Sequence, residues 1–235
     1  MVQFVISILL VSVVQLSAPG DRLNRLFTGF LIALGTWGMT IFLMRDAFPD
    51  AGRAYTIEKI ALAVIPFTSI FFYHFVHTFT GVKRDKSVLI GFYGLGVIAA
   101  VLSLLGITAD GMVEKFYGFA PSITPFFGVV LLASYPPVAL AIRDIRIARE
   151  SSHSRRGNQL RLLRLGAVVS LLGAKSDFVP SLGLNIYPMG ALGNIGFGII
   201  TTWALTRYQL MELRMVARRG LAYAAISTLP LEYME

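Results

Sequence analysis

Two ionisable residues stand close together inside an apolar segment in the C-terminal half of the chain. Lys175 and Asp177 belong to the sequence GAKSDFVPSLG, whose other residues are small, apolar or uncharged. In lipid, a charged side chain costs about 2.5–3.5 kcal/mol, so such residues usually face a bundle interior and mark a functional site. Residues two apart point to opposite sides of a helix. Lys175 and Asp177 are therefore poor partners for each other within one helix.

The depth of these residues predicts a pocket. At a rise of 1.5 Å per residue, Asp177 lies about 8 Å below the outer end of its predicted helix. Trp37 and Asn194 fall at a similar level in two other predicted helices. We therefore predict a small ligand-binding pocket in the outer half of the bundle, bounded by these three residues with Lys175 and Phe127. The alternative is structural: Lys175 extends toward the membrane surface, Asp177 caps a broken helix and Trp37 packs.

Three prolines predict local breaks that could take part in signalling. Pro136 and Pro137, in the sequence SYPP, predict a kink in the fifth apolar segment, which is either a hinge or ordinary packing. Pro180 removes a backbone donor and predicts a loosened helix end close to Asp177.

Chemistry at a metal or a catalytic centre is not indicated. His74 and His77 share one helix face, but two ligands are too few for a metal, His153 is the only other histidine, and the chain has no cysteine. Interfacial or pH-sensitive packing is the preferred interpretation of these histidines. The sequence has no Gly-rich phosphate loop, nucleophile elbow or paired hydrolytic carboxylates. We predict no catalytic residue, metal or cofactor.

The elements that position these residues must lie mostly in lipid. Of the 235 residues, 55% are hydrophobic and 14% are charged, and the mean hydropathy is +0.69; a soluble domain has about 25% charged residues. The apolar residues form blocks of the length that crosses a bilayer, and in lipid such continuous blocks must be helical. The sequence predicts an all-α bundle of seven transmembrane helices, near 1–17, 26–44, 57–81, 87–106, 121–142, 161–182 and 187–207.

The basic residues predict the orientation of this bundle. Sixteen lie in one set of connections: Arg22, Arg25, Lys83, Arg84, Lys86, Arg143, Arg146, Arg149, Arg155, Arg156, Arg161, Arg164, Arg207, Arg214, Arg218 and Arg219. Four lie in the opposite set: Arg45, Arg53, Lys59 and Lys115. Because cytoplasmic loops carry the excess of lysine and arginine, the C-terminus is predicted inside and the N-terminus outside. The net charge of +8 thus indicates topology, and no nucleic-acid partner is predicted.

Three segments resemble one family of membrane proteins. They are LNRLFTGFLIALGTW at 23–37, GAKSDFVPSLGLNIYPMGALGN at 173–194 and WALTRYQLMELRMVARRGL at 203–221. In this order they resemble the N-terminal seven-transmembrane sensor region of bacterial and archaeal histidine kinases and related diguanylate cyclases. Lys175 departs from the small or apolar residues of that family.

This resemblance implies a membrane receptor domain at 1–208 in the inner (cytoplasmic) membrane. Residues 209–235 would form a cytoplasmic juxtamembrane helix and the start of a linker to a kinase or cyclase module. The bundle would perceive a small molecule or a membrane signal, and the last helix would transmit it where Arg207 and Tyr208 mark its exit. A homodimer follows by analogy with the family. A small transporter or channel that uses Lys175 and Asp177 is the alternative.

Overall fold

The computed structural model describes residues 2–17, 22–152, 154–179 and 187–208. These residues form seven α-helices and one two-stranded β-hairpin. In chain order the elements are α1 (Val2–Ser17), α2 (Arg22–Asp46), α3 (Ala51–Thr80), α4 (Lys86–Leu104), β1 (Ala109–Lys115), β2 (Gly118–Ile123), α5 (Phe127–Glu150), α6 (Ser154–Phe178) and α7 (Gly190–Tyr208).

Helix α3 lies at the centre of the bundle and contacts α2, α4 and α5. Helix α6 packs against α5 and α7, and α1 packs against both α2 and α7. The bundle has two ends of different composition. We call the end formed by 46–50, 105–126 and 187–189 the hairpin end, and the end formed by 81–85 and 150–152 the basic end.

An aromatic cluster fills the interior. Phe30 contacts Phe72 and Phe197, with ring centroids 5.5 and 5.3 Å apart, and Phe27 lies 4.9 Å from Phe75. The outer face is also apolar: Ile90, on α4, is 70% exposed, and Leu172, on α6, is 62% exposed. Exposing so much apolar surface to water is unfavourable, so this face is suited to contact with lipid.

Four helices in the described ranges are long and apolar enough to cross a bilayer by length and composition: α2, α3, α4 and α5. Helix α1 is apolar but shorter. The membrane helical bundle is therefore supported, whereas the number of spans and their orientation stay predictions.

The hairpin corrects the all-α prediction, which placed a plain connection at 107–120. Strands β1 and β2 pair antiparallel, and Lys115 faces Gly118 across the turn. Gly118 has φ 120°, a conformation that favours glycine. The Tyr55 hydroxyl donates to the Ala109 carbonyl at 2.7 Å and fastens the hairpin to α3. The strands were missed because β1 contains Asp110, Gly111 and Glu114, which have low β-propensity.

Several helix limits also differ from the predicted ones. Helix α5 begins at Phe127 rather than 121, because 121–123 belong to β2. It continues to Glu150, and α6 begins at Ser154, beyond the predicted limits of 142 and 161. Both helix extensions lie within the polar segment 143–164. The predicted limits were too short because they were taken from the apolar blocks, and these extensions are polar.

Candidate functional site

A cavity opens at the hairpin end between α1, α2, α3, the hairpin and the junction of α6 with α7. It has about 710 Å³ of empty space, including its mouth. Its apolar lining includes Ile41, Met44, Ile65 and Phe119. Polar side chains from six positions also line it: Gln3, Trp37, Arg45, Glu58, Tyr117 and Asp177. An apolar cavity with a few convergent polar groups is the usual form of a small-molecule site.

Two polar atoms of this lining are buried without a hydrogen-bond partner. Glu58 is 4% exposed, and its Oε2 accepts no hydrogen bond. Trp37 is 6% exposed, and its Nε1 donates none. Leaving a buried polar group unpaired costs about 1–3 kcal/mol, and charged groups cost more. The cavity thus has an unmet hydrogen-bonding capacity that a bound molecule could satisfy.

Asp177 connects this cavity to the start of α7. Its Oδ1 accepts the backbone N–H of Gly190 at 2.7 Å, and the neighbouring Ser176 hydroxyl accepts the N–H of Met189, also at 2.7 Å. Free N–H groups at a helix N-terminus favour such an acidic acceptor. A Cβ atom at position 190 would collide with the Asp177 carboxylate, so this contact requires glycine.

Tyr187, which precedes α7, contacts Arg45 of α2 and Tyr117 of the hairpin turn near the cavity mouth. Arg45 Nη1 donates to its hydroxyl at 3.0 Å, and the Arg45 guanidinium lies 5.3 Å from its ring centroid. The ring also meets Tyr117 of the hairpin turn edge-on at 5.9 Å. Burial raises the pKa of the Tyr117 phenol, and Arg45 partly opposes this rise. Tyr117 therefore stays neutral at physiological pH.

The structure brings together part of the predicted pocket. Trp37 and Asp177 line the hairpin-end cavity. Asn194 lies in a neighbouring cavity of about 470 Å³ that shares Trp37, and its Oδ1 accepts from Ser170 Oγ at 2.6 Å. Phe127 packs in a separate cluster beside Leu62. The backbone of Lys175 lies in α6, and its side chain is outside the described part.

The predicted signal-transmitting residues are less fully described. Helix α5 runs through both Pro136 and Pro137, and Pro137 is buried. Pro180 lies outside the described residues, as does the predicted segment 209–235. Arg207 and Tyr208 end α7, with only their backbone described. Their roles stay predictions.

Sequence reasoning missed Glu58, Gln3, Arg45 and Tyr117. Glu58 carried a usable signal, because it is an acidic residue at the start of the predicted span 57–81 and obeys the same rule that singled out Asp177. Arg45 and Tyr117 gave no such signal, since each lies in a connection. Only the fold of the hairpin over the bundle places them at the cavity.

At the basic end, a buried carboxylate has a cationic partner. Asp144 is fully buried on α5 and forms an ion pair with Arg84 of the α3–α4 connection. His77 Nδ1 lies 3.7 Å from the other Asp144 oxygen. His74 instead meets the Tyr93 hydroxyl at 3.0 Å. Within the described residues, no group of three metal-ligating side chains occurs.

Apolar helices around a cavity with a few convergent polar side chains define the class of this protein as a membrane helical bundle. The chain belongs to the family described as the N-terminal 7TM region of histidine kinase, whose family model matches residues 1–214. This family confirms the resemblance seen in the sequence. The matched region is non-catalytic and serves as a membrane sensor domain in signal transduction. No curated protein matches the chain, and no solved structure does.

Proposed function

We propose that the chain senses a small molecule in the hairpin-end cavity and transmits its presence through α7 to a cytoplasmic kinase module of the same protein. A molecule in the cavity shifts the population between two packings of the bundle. The hairpin end faces outside, and the basic end faces the cytoplasm, as the distribution of lysine and arginine favours. The signal thus crosses the membrane along the helix that ends near the kinase.

One observation carries this proposal. Asp177 lines the cavity and also accepts the first backbone N–H of α7, so a bound molecule and the helix start compete for, or share, one carboxylate. A ligand can shift an equilibrium only through a difference in its interactions with the two states. The Asp177 contact supplies such a difference at the point where α7 begins.

The close contact between α6 and α7 supports a coupled movement of the two helices. A Cβ at Gly173 would lie 2.8 Å from Gly193 Cα, so the two backbones approach as closely as glycine allows. Small residues permit this approach between membrane helices. Helix α7 therefore follows α6 when the cavity changes shape.

The function is tested by joining the chain to the kinase module of a histidine kinase in nanodiscs. Ala120 lines the cavity, so Ala120→Phe fills it without any ligand. We expect this variant to change autophosphorylation severalfold, and Asp177→Ala to abolish that change. Asp177→Asn, which keeps an oxygen acceptor for Gly190, should retain most of it.

The matched control is Ala139→Phe, which adds the same volume on an exposed position of α5. Autophosphorylation that is equal in the Ala120→Phe and Ala139→Phe proteins would contradict the sensor function. It would leave the transporter interpretation of Asp177 in place.

The proposed orientation has its own test, because the natural chain has no cysteine. A single cysteine at exposed Phe116 of the hairpin turn should react with an impermeant maleimide in intact cells. A cysteine at exposed Glu150 should react only after lysis. The reverse pattern would overturn the orientation.

A further inference from the structure

We propose that the hairpin-end cavity binds an amphiphilic organic amine, whose ammonium group meets Glu58 and whose apolar part packs on Ile41, Ile65 and Phe119. The inference rests on the proposed function, because it specifies the ligand class for the same cavity. It predicts the chemistry of the ligand from Glu58, whose buried Oε2 has no hydrogen-bond partner.

Glu58 determines which chemical group is expected at the polar end of the ligand. Its Oε2 is buried, borders the cavity and has no hydrogen-bond partner. When ionised, this carboxylate only accepts hydrogen bonds, so a partner that keeps it ionised must be an N–H or O–H donor. Buried charges are normally paired, and a donor that also carries a positive charge satisfies both needs.

The other charged groups of the lining already have partners. Arg45 donates to Tyr187, and Asp177 accepts from Gly190. Among the described lining residues with charge, two are acidic and one is basic. Glu58 is the acidic member whose buried Oε2 has no hydrogen-bond partner. A cationic ligand would balance this excess, whereas an anionic ligand would add to it.

The remaining lining sets the body of the ligand. Ile41, Ile65 and Phe119 present apolar surface, and the Phe119 ring packs at a tilt against Phe48, with ring centroids 5.4 Å apart. Burying apolar ligand surface contributes about 25 cal/mol per Å². An amine attached to a ring or short alkyl chain therefore fits better than a small hydrophilic cation.

The test measures binding of 2-phenylethylamine to the chain in nanodiscs and compares it with 2-phenylethanol, its neutral analogue. We expect the amine to bind at least about tenfold more tightly, the factor that a charge-assisted hydrogen bond supports. Glu58→Gln should reduce amine affinity by a similar factor. Glu114→Gln, which removes the same charge from an exposed position of β1, should leave it unchanged.

Equal binding of amine and alcohol, or unchanged amine affinity in Glu58→Gln, would overturn the inference. Glu58→Asp provides a second variant if Glu58→Gln does not assemble: it keeps the charge and should retain amine selectivity. Two failures are distinguishable. If Ala120→Phe alters autophosphorylation but no amine binds, the ligand class is wrong and the sensor function stands. If the amine binds and neither it nor Ala120→Phe alters autophosphorylation, the sensor function fails.

Discussion

The two ends of the bundle differ in whether a buried acidic side chain has a cationic partner. At the basic end, Asp144 is fully buried and one of its oxygens forms an ion pair with Arg84, so α5 is joined to the α3–α4 connection; its other oxygen lies 3.7 Å from His77 Nδ1 without a hydrogen bond. At the hairpin end, Glu58 is almost as deeply buried, and its Oε2 has no hydrogen-bond partner, nor does any cationic side chain form an ion pair with it among the described residues. A buried ion pair stabilises one arrangement, whereas a buried carboxyl group without a cationic partner leaves a favourable interaction for a ligand to make. Under the proposed function, the basic end maintains the structure and the hairpin end responds to the ligand.

The largest effect is expected from a variant that removes the buried ion pair at the basic end. Asp144→Ala removes the partner of Arg84, and breaking a buried pair costs about 3–5 kcal/mol. Because Arg84 keeps some access to water, we expect about 3 kcal/mol, measured as a lower unfolding temperature in detergent. The control is Glu150→Gln, which breaks the exposed pair with Arg146 and should change stability little. Equal stability of both variants would show that the Asp144 pair does not hold the basic end.

A second variant perturbs the contact between α6 and α7, the two helices that are proposed to carry the signal. Gly173→Ala places a Cβ against the Gly193 backbone, and overpacking of this kind costs about 1–3 kcal/mol. We expect lower thermal stability and a shifted basal autophosphorylation in the kinase fusion. Gly91→Ala adds the same methyl group on α4, where no atom lies within 4 Å, and should have neither effect. A basal activity that is unchanged in Gly173→Ala would argue against movement of α7 with α6.

The third variant, at the hairpin end, is expected to increase the stability of the protein, whereas the first two decrease it. Glu58→Met replaces an unpartnered carboxyl group with an apolar side chain of similar length, so we expect a stability gain of about 1 kcal/mol. Such a gain with loss of response is the usual trade-off at a binding site. The unfolding temperature without added ligand is the measurement. If Glu58→Met destabilises the protein as Asp144→Ala does, then Glu58 has a structural role and the contrast between the two ends disappears.

The smallest effect is expected at a helix cap outside the bundle core. Asp85 Oδ1 accepts the backbone N–H of Ser87 at 2.9 Å, and this bond lowers the pKa of Asp85 from its usual 3.8. A lowered folded-state pKa gives stability that is present above 3.8 and is lost as the pH falls through the lowered value. Asp85→Asn should remove this small acid dependence and leave the stability at pH 7 nearly unchanged. An identical acid profile in the variant would contradict the cap assignment.

The sequence predicted those features that depend on local chemistry. Apolar blocks predicted the helices, and the intramembrane carboxyl group of Asp177 predicted a residue that lines the hairpin-end cavity. The hairpin was not predictable from weak β-propensity, and without it the cavity had no cover. Asn194 was assigned to the pocket from its depth along a predicted helix, but depth along a helix does not give direction around its axis. That is why Asn194 and Phe127 lie outside this cavity.

The central claim, that filling the hairpin-end cavity moves α7, is tested most directly by a distance measurement. Spin labels at Arg149→Cys and Thr206→Cys report the separation of α5 and α7 near the basic end. We predict that Ala120→Phe shifts the distance distribution, that Ala139→Phe does not, and that Asp177→Ala cancels the shift. A distribution that stays the same when the cavity is filled would contradict the claim.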